Sequence, residues 1–314
     1  MEKDIKLDAS NITPDMFKRI PMDDDEAEKI ARPIISFWQD VWRRLKMNKA
    51  AMFSLVLIIL LLFMCIFGPM MNEFEFSNQD ASVRNQTPNG TYWFGTDSAG
   101  RDIFTRIWMG GRKSLTIGLV CAFVAMIVGV TYGAIAGLSG GWVDTIMMRI
   151  VEIISSLPYL LLIILVQLWL DSRTFGTMLL ALSLTSWTGT SRLVRGEVLR
   201  IKNEEFVLAA KTLGVPQSKI ILKHLVPNAM SIVIVGATFD IPGFIFSEAF
   251  LSYMGLGLKP PEVSWGIMSS EAQQQLMFHP YQLFFPTLMI ALTMLSFTLL
   301  GDGLRDALDP KLRK

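Results

Sequence analysis

Six apolar stretches, separated by charged ones, organise this chain: residues 50–68, 114–138, 148–170, 175–193, 228–254 and 281–300. The clearest, AAMFSLVLIILLLFMCIFG at 50–68, contains no charge. At about 1.5 Å per residue it covers a hydrocarbon core of about 30 Å. The pattern predicts an all-α membrane protein with six transmembrane helices. The stretch at 175–193 is the most polar, since LSLTSWTGTS is rich in Ser and Thr; such a helix faces other helices or a watery path rather than lipid. Ahead of the first span, Phe37, Val41, Trp42 and Leu45 recur near helical spacing with basic residues beside them, which predicts an amphipathic helix on the membrane surface. The acidic run at 23–28 reads as a solvated segment. Some fifty mostly polar residues before the first span are unlike a cleavable signal peptide.

The interruption at 196–227 has its own pattern. Phe206, Ala209, Ala210 and Leu213 stand at i, i+3, i+4 and i+7, a narrow apolar stripe on a short helix. Gly214 ends it as a C-cap residue does, Pro216 opens a second short helix, and Pro227 precedes the next span. Two short helices around a glycine turn make either a structured connector or a docking elbow, and spacing alone leaves both open.

Charge placement sets an orientation. The tail at 1–49 carries ten Lys and Arg, the segment 192–224 carries seven, and the C-terminus adds Arg305, Lys311, Arg313 and Lys314. The positive-inside rule places all three in the cytoplasm, and an even number of spans agrees. The organisation expected is a cytoplasmic tail at 1–49, the first helix and an outer loop at 50–113, a core at 114–301 and a cytoplasmic tail at 302–314. At 51% hydrophobic residues and a mean hydropathy of +0.41, the chain is too apolar for an ordinary soluble domain of 314 residues.

Candidate chemistry is sparse. Cys65 and Cys121 both sit inside apolar runs and read as packing residues, not as a disulfide or a thiolate site. GGRKS at 110–114 is no phosphate loop, because Arg112 stands where that pattern needs Gly. His224 and His279 are far apart and assigned to opposite sides, so no catalytic or metal cluster is expected, and neither a cofactor nor a nucleic-acid partner is implied. Glu152, Asp240 and Glu248 lie in or beside spans, where a charge must face a cavity, a partner or a span end. Arg149 at i−3 accounts for Glu152. Asp240 precedes Pro242 and Gly243, where a broken helix would leave a carboxylate and carbonyls on a path.

Ala209, Ala210, Gly214 and Pro227 reproduce a spacing that resembles the EAA loop of membrane subunits of ATP-binding-cassette importers. Leu208 stands where that loop has Glu, and Val226 where it often has Leu. Further stretches, WFGTDSAGRDIFTRIWMGGRKSL, SLPYLLLIIL, SEAFLSYMGLGLKPPEVSWGIM and LGDGLRDALDPKLR, are similar to the C-type membrane subunit of dipeptide and oligopeptide permeases. The resemblance runs from about residue 37 onward. It implies a type I importer permease fold and a coupling helix made by Glu205, Phe206, Leu208, Ala209, Ala210, Leu213 and Gly214. It also implies two ATPase subunits, a homologous B-type permease subunit, an extracytoplasmic peptide-binding protein, a peptide cargo and a surround of membrane lipid. Asp240, Glu248 and Trp265 are the candidates for the translocation path or gate. FGTDSAGRD reads as a self-bonded turn bracing the outer loop or as a contact for the binding protein, and GLGLKPPEVSWG as a short outer cap dipping towards the path. The same machinery carrying nickel or another small solute, and a proton-driven secondary transporter working through the three acids, are the competing readings.

Overall fold

The computed structural model describes residues 36–170, 173–221, 226–259 and 261–308. The acidic run at 23–28, His224 and the basic Lys311, Arg313 and Lys314 lie outside them. Residues 1–40 and 41–314 form separate units; of the first only its end is described, where the rings of Phe37 and Trp38 meet edge to face at 5.2 Å. Among the described residues all regular structure is helical, apart from an isolated antiparallel bridge between Thr96 and Asp102.

The helix α1 (Phe37–Met47) turns Val41 and Leu45, one turn apart, into the core, whereas Phe37 and Trp42 are exposed. The predicted stripe is thus split between two faces. Next comes α2 (Lys49–Phe67), capped by Asn48, whose side chain accepts from the Ala51 amide at 3.1 Å. A 3₁₀ turn at Gly68–Met70 extends it. The long α3 (Ile103–Ser139) is followed by α4 (Gly141–Ser156), α5 (Tyr159–Trp169) and α6 (Phe175–Ile201). Two short helices, α7 (Glu205–Thr212) and α8 (Gln217–Ile220), lead to α9 (Val226–Tyr253), the short α10 (Trp265–Gln273) and α11 (Pro280–Leu308).

Four of these stretches are long and apolar enough to cross a membrane: Lys49–Met70, Ile103–Ser139, Ala229–Tyr253 and Pro280–Leu308. The expected single span at 148–170 is a pair, α4 and α5, bent by 87°. The cause is local, because Leu157 precedes Pro158 and takes an extended backbone (φ −75°, ψ 134°) that no helix interior permits. The expected span at 175–193 lies inside α6, whose 27 residues suffice in length but whose Ser and Thr keep it short of that apolarity, so among the described residues four stretches, or five if the bent pair is one span, meet it where six were expected. The second expected span starts eleven residues earlier than the apolar pattern indicated, at Ile103, since Asp102 caps α3 through the Thr105 amide at 2.7 Å. Arg112 therefore sits inside a helix and donates to the carbonyls of Cys65 and Ile66 at 2.5 and 2.8 Å, closing the end of α2.

Lipid tails are as apolar as leucine, so helices in a bilayer associate through close packing rather than water exclusion. The most extensive contact here joins α3 to α6, and Gly129, Gly133 and Gly137 of α3 make it possible. A methyl group on Gly129 would lie 2.6 Å from the Thr190 Cβ, one on Gly137 2.9 Å from a Val198 methyl, and one on Gly133 would press on the Ser191 carbonyl oxygen. In turn α9 packs on α3 and α11, and α11 on α2. Cys65 and Cys121 are both buried and free, as packing residues are.

Candidate functional site

The elbow between α6 and α9 is built as one folded piece. Gly214 adopts φ +73°, a region side chains disfavour, which lets the Val215 amide reach back to the Ala210 carbonyl at 3.1 Å and satisfy an orphaned helix end. The amides of Lys219 and Ile220 then bond the Pro216 carbonyl at 2.9 and 3.1 Å and start α8. Val207, Ala210 and Ile220 are buried in a cluster with Val194, Val198 and Ile201 of α6 and Val130 and Ala134 of α3. The opposite side is open: Glu205, Ala209, Phe206 (44% exposed), Leu208 (48%) and Leu213 (82%) all face outward. The predicted stripe therefore divides, with Ala210 belonging to the anchoring face and Phe206, Ala209 and Leu213 to the exposed one. Val207 and Ile220, which spacing analysis passed over, hold the elbow to its helices; the i, i+3 pair Val207 and Ala210 was the legible signal.

At the opposite end of α3, FGTDSAGRD is a self-bonded turn and more. Asp97 accepts from the amides of Ala99 (2.8 Å) and Arg101 (3.0 Å), and Gly95 and Gly100 both take φ +78°. Arg101 donates to Asp97 at 2.7 Å and to Glu271 of α10 at 2.8 Å. Arg106, in the first turn of α3, bonds the same two carboxylates, Glu271 at 3.0 Å. Two cations and two carboxylates thus rivet the outer loop, α3 and α10 together. Gln282 and Tyr281 of α11 add bonds to the Thr96 carbonyl at 3.0 and 3.2 Å. Nearby, Asp80 accepts from the hydroxyl and amide of Ser82, which holds its carboxyl below the ordinary carboxylate range. Arg106 is only 3% exposed, so R106Q, which strips both carboxylates of one partner, is expected to lower unfolding stability by about 3 kcal/mol. That is the low end for a broken buried pair because Glu271 stays 36% exposed and hydratable. Thermal unfolding of R106Q beside R101Q, in which the better-hydrated cation is lost, checks the ranking.

Glu248 and Trp265, the candidates for the path or gate, sit in the interior of the subunit. Both are fully buried. Glu248 accepts from the hydroxyls of Ser114 (3.0 Å), Ser252 (2.9 Å) and Ser264 (2.7 Å), so a serine one turn on along α9 and two more distant ones satisfy the carboxyl that the sequence left unexplained. Trp265 donates its indole N–H to the Ile107 carbonyl at 2.8 Å and its amide to Ser114 at 3.2 Å, fixing α10 to α3. Glu152 is exposed and paired with Arg149 at 2.7 Å. Asp240 is half-buried, and α9 runs through Pro242 as one helix rather than breaking there.

Ile232, Phe239, Phe246 and Phe250 form one exposed seam along α9, with Gly236 and Gly243 between them opening on empty space. Beside it, Leu193, Ile232, Phe239 and Arg305 line a groove of about 410 Å³ between α6, α9 and α11. Among the described residues no group of His, Cys, Asp and Glu is arranged to hold a metal ion.

Comparison with known proteins places these features. Residues 129–314 match the family described as binding-protein-dependent transport system inner membrane component, and residues 36–88 match the N-terminal TM domain of oligopeptide transport permease C. The oligopeptide transport system permease protein OppC of Bacillus subtilis strain 168 is 45% identical over 97% of this chain and 99% of its own length. The dipeptide transport system permease protein DppC of the same organism is 47% identical over 92% and 90%. OppC of Escherichia coli K12 is 39% identical over 91% and 95%. Among solved structures, the MetNI methionine ABC transporter shares the fold, with a TM-score of 0.52 at 16% identity over 65% of this chain and 97% of that one.

Proposed function

This chain belongs to the family of binding-protein-dependent transport system inner membrane components, and from that premise we propose that it is the C-type permease subunit of an ATP-binding-cassette importer of oligopeptides or dipeptides. It is a transport subunit, not an enzyme; ATP is hydrolysed by two partner ATPases. A homologous B-type permease subunit covers the α9 seam and closes the path, and an extracytoplasmic binding protein delivers and selects the peptide. Both termini and the elbow lie in the cytoplasm, in keeping with their Lys and Arg content. Asp240 and the Ser and Thr of α6 line the path, where hydroxyls and a carboxylate bind backbone amides without choosing side chains.

The observation that carries this reading is the two-sided elbow. Its inner side is locked to α3 and α6 through Val207, Ala210 and Ile220, and its outer side presents an exposed apolar surface in which Leu208 and Leu213 stand out. An apolar surface set on a rigid mount fits the cleft of an ATPase, whose closure it passes to the membrane helices. A single cysteine replacing Leu213 in the assembled complex is expected to cross-link to the ATPase, and the yield to change with nucleotide. Labelling of that cysteine only from the extracytoplasmic side, or peptide uptake driven by a proton gradient without ATPases, would overturn the proposal. The ligand retained by the companion binding protein decides between peptides and another solute.

A further inference from the structure

The helix α4 is almost unattached. Of its sixteen residues only Asp144 and Val151 are buried, while Trp142, Ile146, Ile150 and Ile153 are all exposed. It follows α3 through Gly140 and Gly141, both at positive φ (65° and 57°), with no atom near the place where either Cβ would stand. Such a joint bends freely and transmits little. Besides the half-buried Val143, Met147, Met148 and Ile154, its ties are Val151, which packs inward, the Tyr132 hydroxyl, which donates to the Met147 carbonyl at 3.0 Å, and Arg195 of α6, which grips Asp144 through two parallel bonds, Nε to Oδ1 at 2.5 Å and Nη2 to Oδ2 at 2.6 Å. A bidentate guanidinium–carboxylate pair is directional and strong for its size.

The other partner of this grip is not loose. Arg195 stands two turns before the end of α6, on the segment where Val194 and Val198 pack against the elbow and where Gly133 and Gly137 let α3 lie backbone to backbone. Lys202 adds a bond to the Gly137 carbonyl at 3.2 Å. The elbow, the end of α6 and the end of α3 therefore form one body, to which α4 is hinged at Gly140–Gly141 and held by the Asp144–Arg195 pair, its one ion pair to that body among the described residues, beside the Tyr132–Met147 bond and buried Val151.

We infer that Asp144 and Arg195 are the positioning residues through which movement of the elbow is passed to α4 and, across the bend at Pro158, to α5. The pair makes α4 follow a body from which its glycine joint would otherwise release it. This rests on the reading of the chain as a coupled permease. Neither residue is asked to touch peptide or nucleotide.

The test uses the whole complex, with its companion permease, ATPases and binding protein, in proteoliposomes. D144N keeps the shape and removes the charge, and is expected to lower peptide taken up per ATP hydrolysed by about tenfold. Exchanging the partners, D144R with R195D, is expected to recover part of that loss, and R195K, which keeps charge without the fork, to fall between. A second readout is independent of rate. With spin labels at positions 146 and 213, the unsubstituted pair holds one separation with and without ATP, whereas in D144N the separation changes or broadens. An unchanged uptake-to-ATP ratio in both D144N and R195K, or a label separation that D144N leaves as fixed as before, would overturn the inference while an elbow that still cross-links to the ATPase leaves the permease reading standing. Loss of that cross-link, or no ATP-driven uptake by the unsubstituted complex, would remove both.

Discussion

Replacing Glu248 with Leu is expected to destabilise the folded subunit by about 3 kcal/mol, with Glu248→Gln within about 1 kcal/mol of the parent. The asymmetry comes from the three serines. Each buried hydroxyl deprived of its acceptor loses about 1 to 3 kcal/mol. Ser114 and Ser252 lie within helices and can turn to the carbonyl four residues back, which softens their loss. Ser264 cannot, because it is the cap of α10, already accepting from the Ile267 amide, and its proton goes to Glu248 alone. Gln retains a carbonyl where Ser252 and Ser264 donate and offers Ser114 an N–H to accept. Thermal unfolding of the purified protein in detergent checks the order, and an E248L as stable as E248Q would refute the role given to Ser264. Because the same carboxylate joins α3, α9 and the cap of α10, E248L is also expected to raise proteolytic cutting between 255 and 264.

Gly133→Val is expected to cost about 3 kcal/mol, the upper end for an overpacked interior, and to prevent assembly of the complex. The added carbons meet backbone, the Ser191 carbonyl and the Arg195 amide, rather than the end of a side chain that can swing away. The helices must separate instead, forfeiting the close approach on which association in lipid depends. Gly243→Val serves as the control: it sits on the open seam of α9 with nothing within 4 Å, and its effect on the isolated subunit is expected to stay within about 0.5 kcal/mol. Melting temperatures of the two variants side by side measure the difference.

The sequence made some of this legible and hid the rest for physical reasons. A run without charge announces itself, so 50–68 was found almost to the residue. The start of α3 was hidden because Arg106, Arg112 and Lys113 look like loop, and their partners, Glu271, the end of α2 and Glu262, lie far away in the chain. The bend between α4 and α5 was written as Leu157-Pro158, but continuous apolar residues on both sides masked it. A carboxylate inside a span points to function by default, and although Ser252 stands one turn from Glu248 on the same helix, only the fold reveals that the serines at 114 and 264 converge on it too. At the elbow, the glycine turn and both short helices were readable, yet which apolar residues anchor and which remain open depends on how α7 is rolled against α6, a tertiary fact that periodicity cannot carry.

The 37 residues of α3 make a rod of about 55 Å, far longer than a bilayer's apolar interior. One of its extremities carries the Asp97–Arg106–Glu271 rivet and the other underlies the elbow. A shaft loaded at both ends ties what happens on one face of the membrane to what happens on the other. In the proposed permease such a shaft would keep the two mouths of the path from opening together, where two independently hinged doors would by chance sometimes both stand open and leak ions.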